Sequence, residues 1–308
     1  MGPLGLEPFC PRFPWFGGDL QTLRDSLRPQ HLALPHDQQQ ILVPVEGGAL
    51  HGWLAHPSQA RHQARALVLL VHGLGGSSDS VGVRRLTALL LQRRLAVLRL
   101  NLRGAGAGRA LAAGSYAASC SSDLLPVLSR ARQLAGRLPL LGVGLSLGGT
   151  VLLNALLAQP SGLDGLVALS APLDLAASCD HMQRRRNRFY LEVVLRRLRQ
   201  QVSADPAGLS PAEHRALAAA PACSLAAFDG AITAPRWGYG SVAQYYAAAS
   251  PLEQLLALPG LPPWLLLQAA DDPWVPVAPA QALAAAWSTA EPGTVVLTPQ
   301  GGHNGFHG

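Results

Sequence analysis

The stretch Leu138–Leu157, LPLLGVGLSLGGTVLLNALL, places a single hydroxyl between glycines at the junction of two apolar segments. The continuous apolar run at 138–145 predicts a strand buried on both faces, and 147–158 predict a helix. The G-x-S-x-G pattern centred on Ser146 therefore lies where a strand turns into a helix, as in a nucleophile elbow. The serine of such an elbow lies on a sharp turn, which requires small neighbours. Taken alone, the pattern also fits an ordinary strand-to-helix turn.

Strands and helices alternate on both sides of this stretch. Further strands are predicted at 41–45, 49–56, 66–71, 95–102, 165–171, 263–270 and 293–299, and further helices at 81–93, 121–135 and 278–287. The first two strands form a predicted β-hairpin, and the others alternate with helices, which indicates right-handed β-α-β crossovers. The sequence therefore predicts an α/β fold with a mainly parallel, eight-stranded sheet flanked by helices.

The alternation stops after the sixth predicted strand. Residues 173–255 contain no convincing strand, and helices are predicted within them at about 183–202 and 211–220. Insertions between strands of a parallel sheet commonly cover its carboxyl edge, where ligands bind. We therefore predict a helical cap at 173–255 on a core formed by 1–172 and 256–308. Residues 1–40, rich in proline and aromatic residues, are predicted to form an irregular N-terminal arm of that core.

The composition indicates a globular protein with a large core. The chain has 308 residues, of which 49% are hydrophobic and 14% charged, and its net charge is +6. A positive charge of this size predicts weak attraction to acidic surfaces. Nucleic-acid binding is not predicted, because no recognition motif or basic strip with interleaved aromatic residues accompanies the charge.

Cofactors, metals and disulfides are not predicted either. The four cysteines are far apart and form no C-x-x-C pair, so reduced thiols are expected. No group of side chains has metal-ligand spacing, and the glycine-rich segments 72–80 and 101–110 lack the patterns of nucleotide-binding loops. The N-terminus does not resemble a signal peptide, and the apolar runs are too short or interrupted to span a membrane. A soluble cytoplasmic protein is therefore expected.

A serine nucleophile needs a histidine base, and four histidines follow Ser146 in the chain. His181 and His214 fall in the predicted cap, whereas His303 and His307 follow the last predicted strand. His303, in GGHNGF, is the better-placed candidate, because His307 is almost at the end of the chain. The alternative for His303 is an ordinary histidine of a surface loop.

The carboxylate that orients this base is expected between the serine and the histidine, at the end of a strand. Asp272, in the segment AADDPWVP, follows strand 263–270 and precedes Pro276 by four residues. Its neighbour Asp271 would then help to shape the turn. Asp174, which follows the strand at 165–171, is the competing candidate, although it is also suited to cap a helix.

An oxyanion hole requires two backbone N–H groups beside the nucleophile. Leu147, directly after Ser146, is predicted to provide one of them. The loop HGLGGSSDS at 72–80 is predicted to provide the other through Leu74, since the glycines beside it allow a substrate to approach the backbone closely. His72, which precedes this loop, is expected to have a structural role.

Taken together, these motifs resemble one family along nearly the whole chain, the YheT-like α/β-hydrolases, which include bacterial esterases and animal α/β-hydrolase-domain lipases. The resemblance is carried, in order, by PRFPWFGGDLQTL, HGLGGSSDS, NLRGAGAG, SYAASCSSDL, GLSLGGTVLLNAL, SAPLDL, FDGAITAPRWGYGSVAQYYAAASP, AADDPWVP and GGHNGF. It implies an α/β-hydrolase fold and the hydrolysis of carboxylic esters, often with medium acyl chains. It also implies that Ser146, Asp272 and His303 form a catalytic triad.

The sequence departs from the family pattern at three points. Thr150 stands where the family commonly has asparagine, and Ala117 stands where a histidine is usual. The chain also ends five residues after His303, whereas the relatives usually continue into a terminal helix.

The predicted substrate pocket lies under the cap. Its aromatic candidates are Phe228, Trp237, Tyr239 and Tyr245, which suit an acyl chain, although each of them also fits the core of the cap. The arginine-rich segment 184–202 has apolar residues at helical spacing. Such a helix can make weak contact with an anionic membrane surface, or it can pack its apolar face inward and leave its arginines solvated.

We therefore expect a serine carboxylic-ester hydrolase that acts on short- to medium-chain acyl esters through an acyl-enzyme. Two alternatives use the same residues. One is acyl transfer to an alcohol, and the other is a non-catalytic protein that binds a ligand in the hydrolase pocket.

Overall fold

A computed structural model of the chain describes residues 7–29, 33–57, 64–257, 260–286 and 293–307. Its strands are β1 Gln39–Val45, β2 Gly48–Ala55, β3 Leu67–Val71, β4 Ala96–Asn101, β5 Leu140–Leu145, β6 Gly165–Leu169, β7 Trp264–Ala269 and β8 Gly293–Thr298. They form one eight-stranded sheet in the order β1-β2-β4-β3-β5-β6-β7-β8. The pairs β1–β2 and β2–β4 are antiparallel, and the remaining pairs are parallel. The prediction of a mainly parallel, eight-stranded α/β-hydrolase sheet is confirmed.

The burial of each strand follows from its sequence. All residues of the central strands β3 and β4 are buried, because helices cover both faces of the sheet there. At the edge, β1 buries only Ile41 and Val43, which are two positions apart and therefore point to the same face. Arg99 and Asn101 are the polar residues of these two strands. Arg99 is 1% exposed in β4, where its Nη1 donates to the Ser78 carbonyl at 2.6 Å.

The helices of the described residues are α1 Gly18–Leu27, α2 Val81–Gln92, α3 Ser121–Ala135, α4 Leu147–Ala158, α5 Leu175–Met182, α6 Arg188–Ser203, α7 Pro211–Ala219, α8 Leu225–Phe228, α9 Ala234–Arg236, α10 Val242–Ala249, α11 Leu252–Ala257 and α12 Ala278–Ala286. The described part of the chain between β6 and β7 contains helices and irregular segments but no strand. We call residues 175–257, which hold α5 to α11, the helical insertion. Residue 287, where the last predicted helix was expected to end, lies outside the described residues.

The N-terminal arm corrects one sequence prediction. Residues 1–40 were expected to be irregular, but Gly18–Leu27 form helix α1, and β1 already begins at Gln39. The buried residue that α1 contributes is the polar Gln21, so no apolar periodicity marks this helix in the sequence. Contacts with distant parts of the chain hold it in place. Residues 1–6 and 30–32 of the arm lie outside the described residues.

Within the described residues, no helix combines the length and the apolar character that crossing a membrane requires.

Candidate active site

Ser146 lies on the sharp turn between β5 and α4, and its φ of 53° is in the left-handed region that residues with side chains rarely adopt. The neighbouring glycines make this turn possible. A Cβ on Gly144 would collide with the backbone of Gly149, and a Cβ on Gly148 would lie 2.5 Å from the Val71 carbonyl oxygen. The strained backbone raises the serine to the carboxyl edge of the sheet, as expected for a nucleophile elbow.

Asp272 lies directly beyond β7 at the same edge and is 5% exposed. Its Oδ1 accepts hydrogen bonds from the backbone N–H groups of Trp274 (2.7 Å) and Val275 (3.0 Å). Its Oδ2 accepts another from Gln268 Nε2 at 3.2 Å. The adjacent Asp271 shapes the site differently, since its Oδ1 accepts from the Gly302 N–H at 2.8 Å and joins the two loops.

His303 lies against this carboxylate. Its Nδ1 is 2.9 Å from Asp272 Oδ2 and 3.2 Å from Oδ1, and its ring stacks on Trp274 with centroids 4.5 Å apart. Its backbone N–H donates to Thr22 Oγ1 of α1 at 2.8 Å. His303 Nε2 is buried without a hydrogen-bond partner among the described residues, and His303 lines the same cavity as Ser146. A proton on Nδ1, facing Asp272, leaves Nε2 free to accept one.

The competing residues have other partners. Asp174 is the N-cap of α5, where its Oδ1 accepts from the Ala177 N–H at 3.0 Å. His307 lies beside Arg85 and Asp25, and burial together with the Arg85 charge lowers the pKa of its imidazole to about 4. Neither residue makes a hydrogen bond to His303 in the described part of the chain. The geometry therefore brings Asp272, and not Asp174, to the candidate base.

Both predicted oxyanion residues line the cavity beside Ser146. Leu147 is the first residue of α4, so its N–H has no partner within the helix. Leu74 lies on the loop after β3. This loop passes close to the serine, since a Cβ built on Gly73 would lie only 2.9 Å from Ser146 Cβ. The Gly75 N–H is already bound to the Tyr116 hydroxyl at 2.7 Å, which holds the loop in position.

His72 at the start of this loop is fully buried and has the structural role that the sequence predicts. The Leu102 N–H donates to His72 Nε2 at 3.2 Å, so Nε2 is an acceptor and the proton is on Nδ1. That Nδ1 lies 2.8 Å from the Gly73 carbonyl oxygen. Burial lowers the pKa of the imidazole to about 4, which keeps it neutral near pH 7.

The cavity lies between the carboxyl edge of the sheet and the helical insertion. Phe228 and Tyr245 line it, as predicted from the sequence, but Trp237 and Tyr239 do not. The Trp237 indole N–H instead donates to the Ser115 carbonyl at 2.8 Å, and the Tyr239 hydroxyl donates to Ser119 Oγ at 2.9 Å. Aromatic composition alone cannot show which face of a helical segment points into a cavity.

The apolar stripe of the arginine-rich segment supplies much of the remaining lining. Val194, Leu198 and Val202 are buried on α6 and line the cavity, so this face packs inward. Their helical spacing was visible in the sequence. The exposed arginines remain available to acidic surfaces, and contact of 184–202 with a membrane stays a prediction.

The site also contains residues that the sequence did not indicate. Thr22 reaches the histidine loop from the N-terminal arm, and Asp229 of the helical insertion lines the cavity as a half-buried carboxyl group. Both lie in segments that carry the family resemblance, PRFPWFGGDLQTL and FDGAITAPRWGYGSVAQYYAAASP, but no chemical motif marks either residue as part of a site.

Comparisons with known proteins agree with the fold and with hydrolase chemistry. The sequence model of the serine aminopeptidase S33 family matches residues 62–307. YheT of Escherichia coli, provisionally named an esterase, is 28% identical over 306 residues, which cover 97% of this chain and 87% of that protein. Phospholipase ABHD3 of Mus musculus is 26% identical over 325 residues, covering 99% and 74%. The medium-chain fatty acid ethyl ester synthase/esterase 2 of Saccharomyces cerevisiae is 28% identical over 235 residues, covering 68% and 51%.

Solved structures of low sequence identity share the fold. The esterase Pf2001 of Pyrococcus furiosus has a TM-score of 0.58 at 14% identity, covering 89% of this chain and 88% of that one. Est1E of Butyrivibrio proteoclasticus with bound ferulic acid has a TM-score of 0.55 at 17% identity, covering 86% and 91%.

Proposed function

The chain belongs to the serine aminopeptidase S33 family of α/β-hydrolases, and on this premise we propose that it hydrolyses short- to medium-chain carboxylic esters. That it is a hydrolase follows from the family and from its esterase-named relatives. One observation supports the more specific assignment of ester hydrolysis through Ser146, His303 and Asp272. The buried Asp272–His303 pair, 2.9 Å apart, lines the same cavity as a serine on a strained strand-to-helix turn.

The proposed reaction proceeds in two halves. Ser146 Oγ attacks the ester carbonyl while His303 Nε2 takes its proton, and the same imidazolium then protonates the departing alcohol. Asp272 keeps the proton of the resting histidine on Nδ1 and stabilises the imidazolium. Backbone N–H groups of Leu147 and Leu74 bind the developing oxyanion. Water then attacks the acyl-enzyme, with His303 again as the base, and Ser146 is released.

We propose that the helical insertion acts as a cap that provides the acyl pocket. Six of its aliphatic and methionine side chains line the cavity above Ser146, namely Leu175, Met182, Val194, Leu198, Val202 and Leu225. Such a lining favours an acyl chain over a polar substituent along most of its length. The medium-chain esterase name of the yeast relative supports the same chain-length range.

Turnover of p-nitrophenyl esters of increasing acyl length tests the proposal. We expect wild-type protein to release p-nitrophenol, with kcat/KM highest for short to medium chains, and Ser146→Ala to lose this activity. Ser122→Ala is the matched control, since this serine is exposed on α3, and it should behave as wild type. Equal turnover by wild type and Ser146→Ala would show that Ser146 is not the nucleophile.

Acyl transfer to an alcohol is a second candidate, favoured by the synthase/esterase name of the yeast relative. Both reactions share the acyl-enzyme and differ in whether water or an alcohol attacks it. Adding ethanol or glycerol to the assay and measuring the new ester separates the two. Labelling of Ser146 by a fluorophosphonate distinguishes either enzyme from a non-catalytic binding protein, which should not react.

We also propose a cytoplasmic location. It is supported by the four cysteines, all of which are free thiols.

A further inference from the structure

A half-buried carboxyl group that the proposed reaction does not use lines the cavity of Ser146. Asp229 begins a π-helical turn, Asp229–Thr233, in the helical insertion. Its Oδ1 accepts a hydrogen bond from Thr233 Oγ1 at 2.7 Å, and its Oδ2 accepts one from the Tyr246 hydroxyl at 2.8 Å. Single π-helical turns within helical segments are uncommon and frequently occur at functional sites.

This carboxyl group has no counter-charge in the described part of the chain. No arginine or histidine there forms an ion pair with it. Burial raises the pKa of Asp229 to about 6, so the group is mainly ionised at pH 7. Burial also raises the pKa of its titratable neighbours Tyr245, Tyr246 and Cys179, which therefore stay neutral. Asp229 is the charged group of this part of the cavity.

The carboxylate retains capacity for further hydrogen bonds. Two carboxylate oxygens provide about four acceptor positions, and the hydroxyls of Thr233 and Tyr246 occupy one on each oxygen. A wholly apolar acyl chain in this cavity would exclude water from the Asp229 carboxylate and offer no hydrogen bond in return, which is unfavourable. A substrate group that donates a hydrogen bond to this carboxylate would offset the cost of desolvation, because charge-assisted hydrogen bonds are strong where water is excluded.

We propose that Asp229 is a specificity-determining residue that accepts a hydrogen bond from a hydroxyl or ammonium group on the acyl part of the substrate. This rests on the proposed function, because it assumes that the acyl part occupies the cavity beside Ser146. The apolar lining then binds the chain, and Asp229 selects chains that carry a donor.

Paired substrates test this assignment. The probes are p-nitrophenyl esters of ω-hydroxy and ω-amino alkanoic acids from pentanoic to decanoic, each compared with the ester in which a methyl group replaces the terminal donor. For at least one chain length, we expect wild-type kcat/KM to be higher for the donor-bearing ester. Asp229→Asn should lower this ratio about tenfold, because it replaces a charged acceptor with a neutral one. A preference confined to one of the two series identifies the donor as hydroxyl or ammonium.

Asp180→Asn is the matched control, since it removes an exposed carboxylate of α5 from the same insertion and should leave the ratio unchanged. Turnover of the methyl-terminated esters by Asp229→Asn reports whether that variant is folded. If wild-type protein prefers the methyl-terminated ester at every chain length, the assignment is wrong whatever the variant does. Ratios that stay constant in Asp229→Asn overturn it too. In both cases turnover that still depends on Ser146 leaves the proposed function intact.

Discussion

The side chain of Gln21 and the backbone of His307 exchange two hydrogen bonds across 286 positions of sequence. Gln21 Oε1 accepts from the His307 N–H at 2.7 Å, and Gln21 Nε2 donates to the His307 carbonyl at 3.1 Å. One residue further along α1, Thr22 accepts from the His303 N–H. Gly302 packs so closely that a Cβ would lie 2.8 Å from Gln21 Cβ. The N-terminal helix thus supports the loop that carries the candidate base.

Removing the Thr22 hydroxyl should misplace the base. In Thr22→Val the His303 N–H loses its acceptor with little change in side-chain volume, and we expect kcat to fall about tenfold with KM nearly unchanged. Thr22→Ser keeps the hydroxyl and should restore kcat. Steady-state kinetics on one p-nitrophenyl ester measure both values. A fall in melting temperature without a change in kcat would show that Thr22 stabilises the fold only.

Replacing Asp271 and Asp272 one at a time tests which of them orients His303 and which only shapes the loop. Asp272→Asn should lower kcat about a thousandfold or more, because an amide no longer holds the required histidine tautomer. Asp271→Asn retains an oxygen that can accept from the Gly302 N–H, and it should cost less than about tenfold. Comparable losses in the two variants would contradict the assignment of Asp272 as the orienting carboxylate.

The nucleophile turn should not tolerate a side chain at Gly144. Since a Cβ there would meet the backbone of Gly149, we expect Gly144→Ala to lower the free energy of unfolding by about 3 kcal/mol. In Gly82→Ala the added Cβ would be 3.6 Å from Asp25 Oδ2, an ordinary contact, on helix α2. That variant should be neutral or slightly stabilised, by up to about 1 kcal/mol. Urea denaturation of both variants checks the contrast.

The raised pKa of Asp229 makes the stability depend on pH. Burial raises the pKa of this carboxyl group from 3.8 in the unfolded chain to about 6, so between these values the folded state binds a proton that the unfolded state has released. The free energy of unfolding therefore falls as pH rises through this window. Asp229→Asn lacks this contribution, and its stability relative to wild type should improve by about 2 kcal/mol between pH 4 and pH 7. Urea denaturation at both pH values measures the change, and a constant difference would show that Asp229 titrates normally.

Much of the fold could be predicted because the sequence patterns that indicate it lie within short segments of the chain. Continuous apolar runs predicted the central strands, since strands covered by helices on both faces bury every residue. The glycines around Ser146 marked the turn, because only small residues fit there. Chain order and strand ends pointed to Asp272 and His303, and the structure places these two side chains in contact. Each of these inferences needed only a short segment and the geometry of a parallel sheet.

What the sequence did not reveal depends on contacts between distant segments. Helix α1 was missed because its buried residue is a glutamine whose partner lies at the other end of the chain. Trp237 and Tyr239 were assigned to the pocket, but their hydrogen bonds turn them toward Ser115 and Ser119. Asp229 lies in a segment that carries the family resemblance, but only the packing of the chain shows that it lines the cavity.

The sequence by itself determined the order of the strands and of the helices between the parallel strands, the strained turn of Ser146 and the residue types available for acyl chemistry. These depend on backbone conformation and hydrophobic periodicity, which neighbouring residues set. The tertiary structure decided between Asp272 and Asp174 as the carboxylate that meets His303, and it alone showed which helix supports the histidine loop and which of the candidate side chains line the cavity. These features depend on the burial and hydrogen bonding of groups that are far apart in the chain, so no pattern of neighbouring residues predicts them.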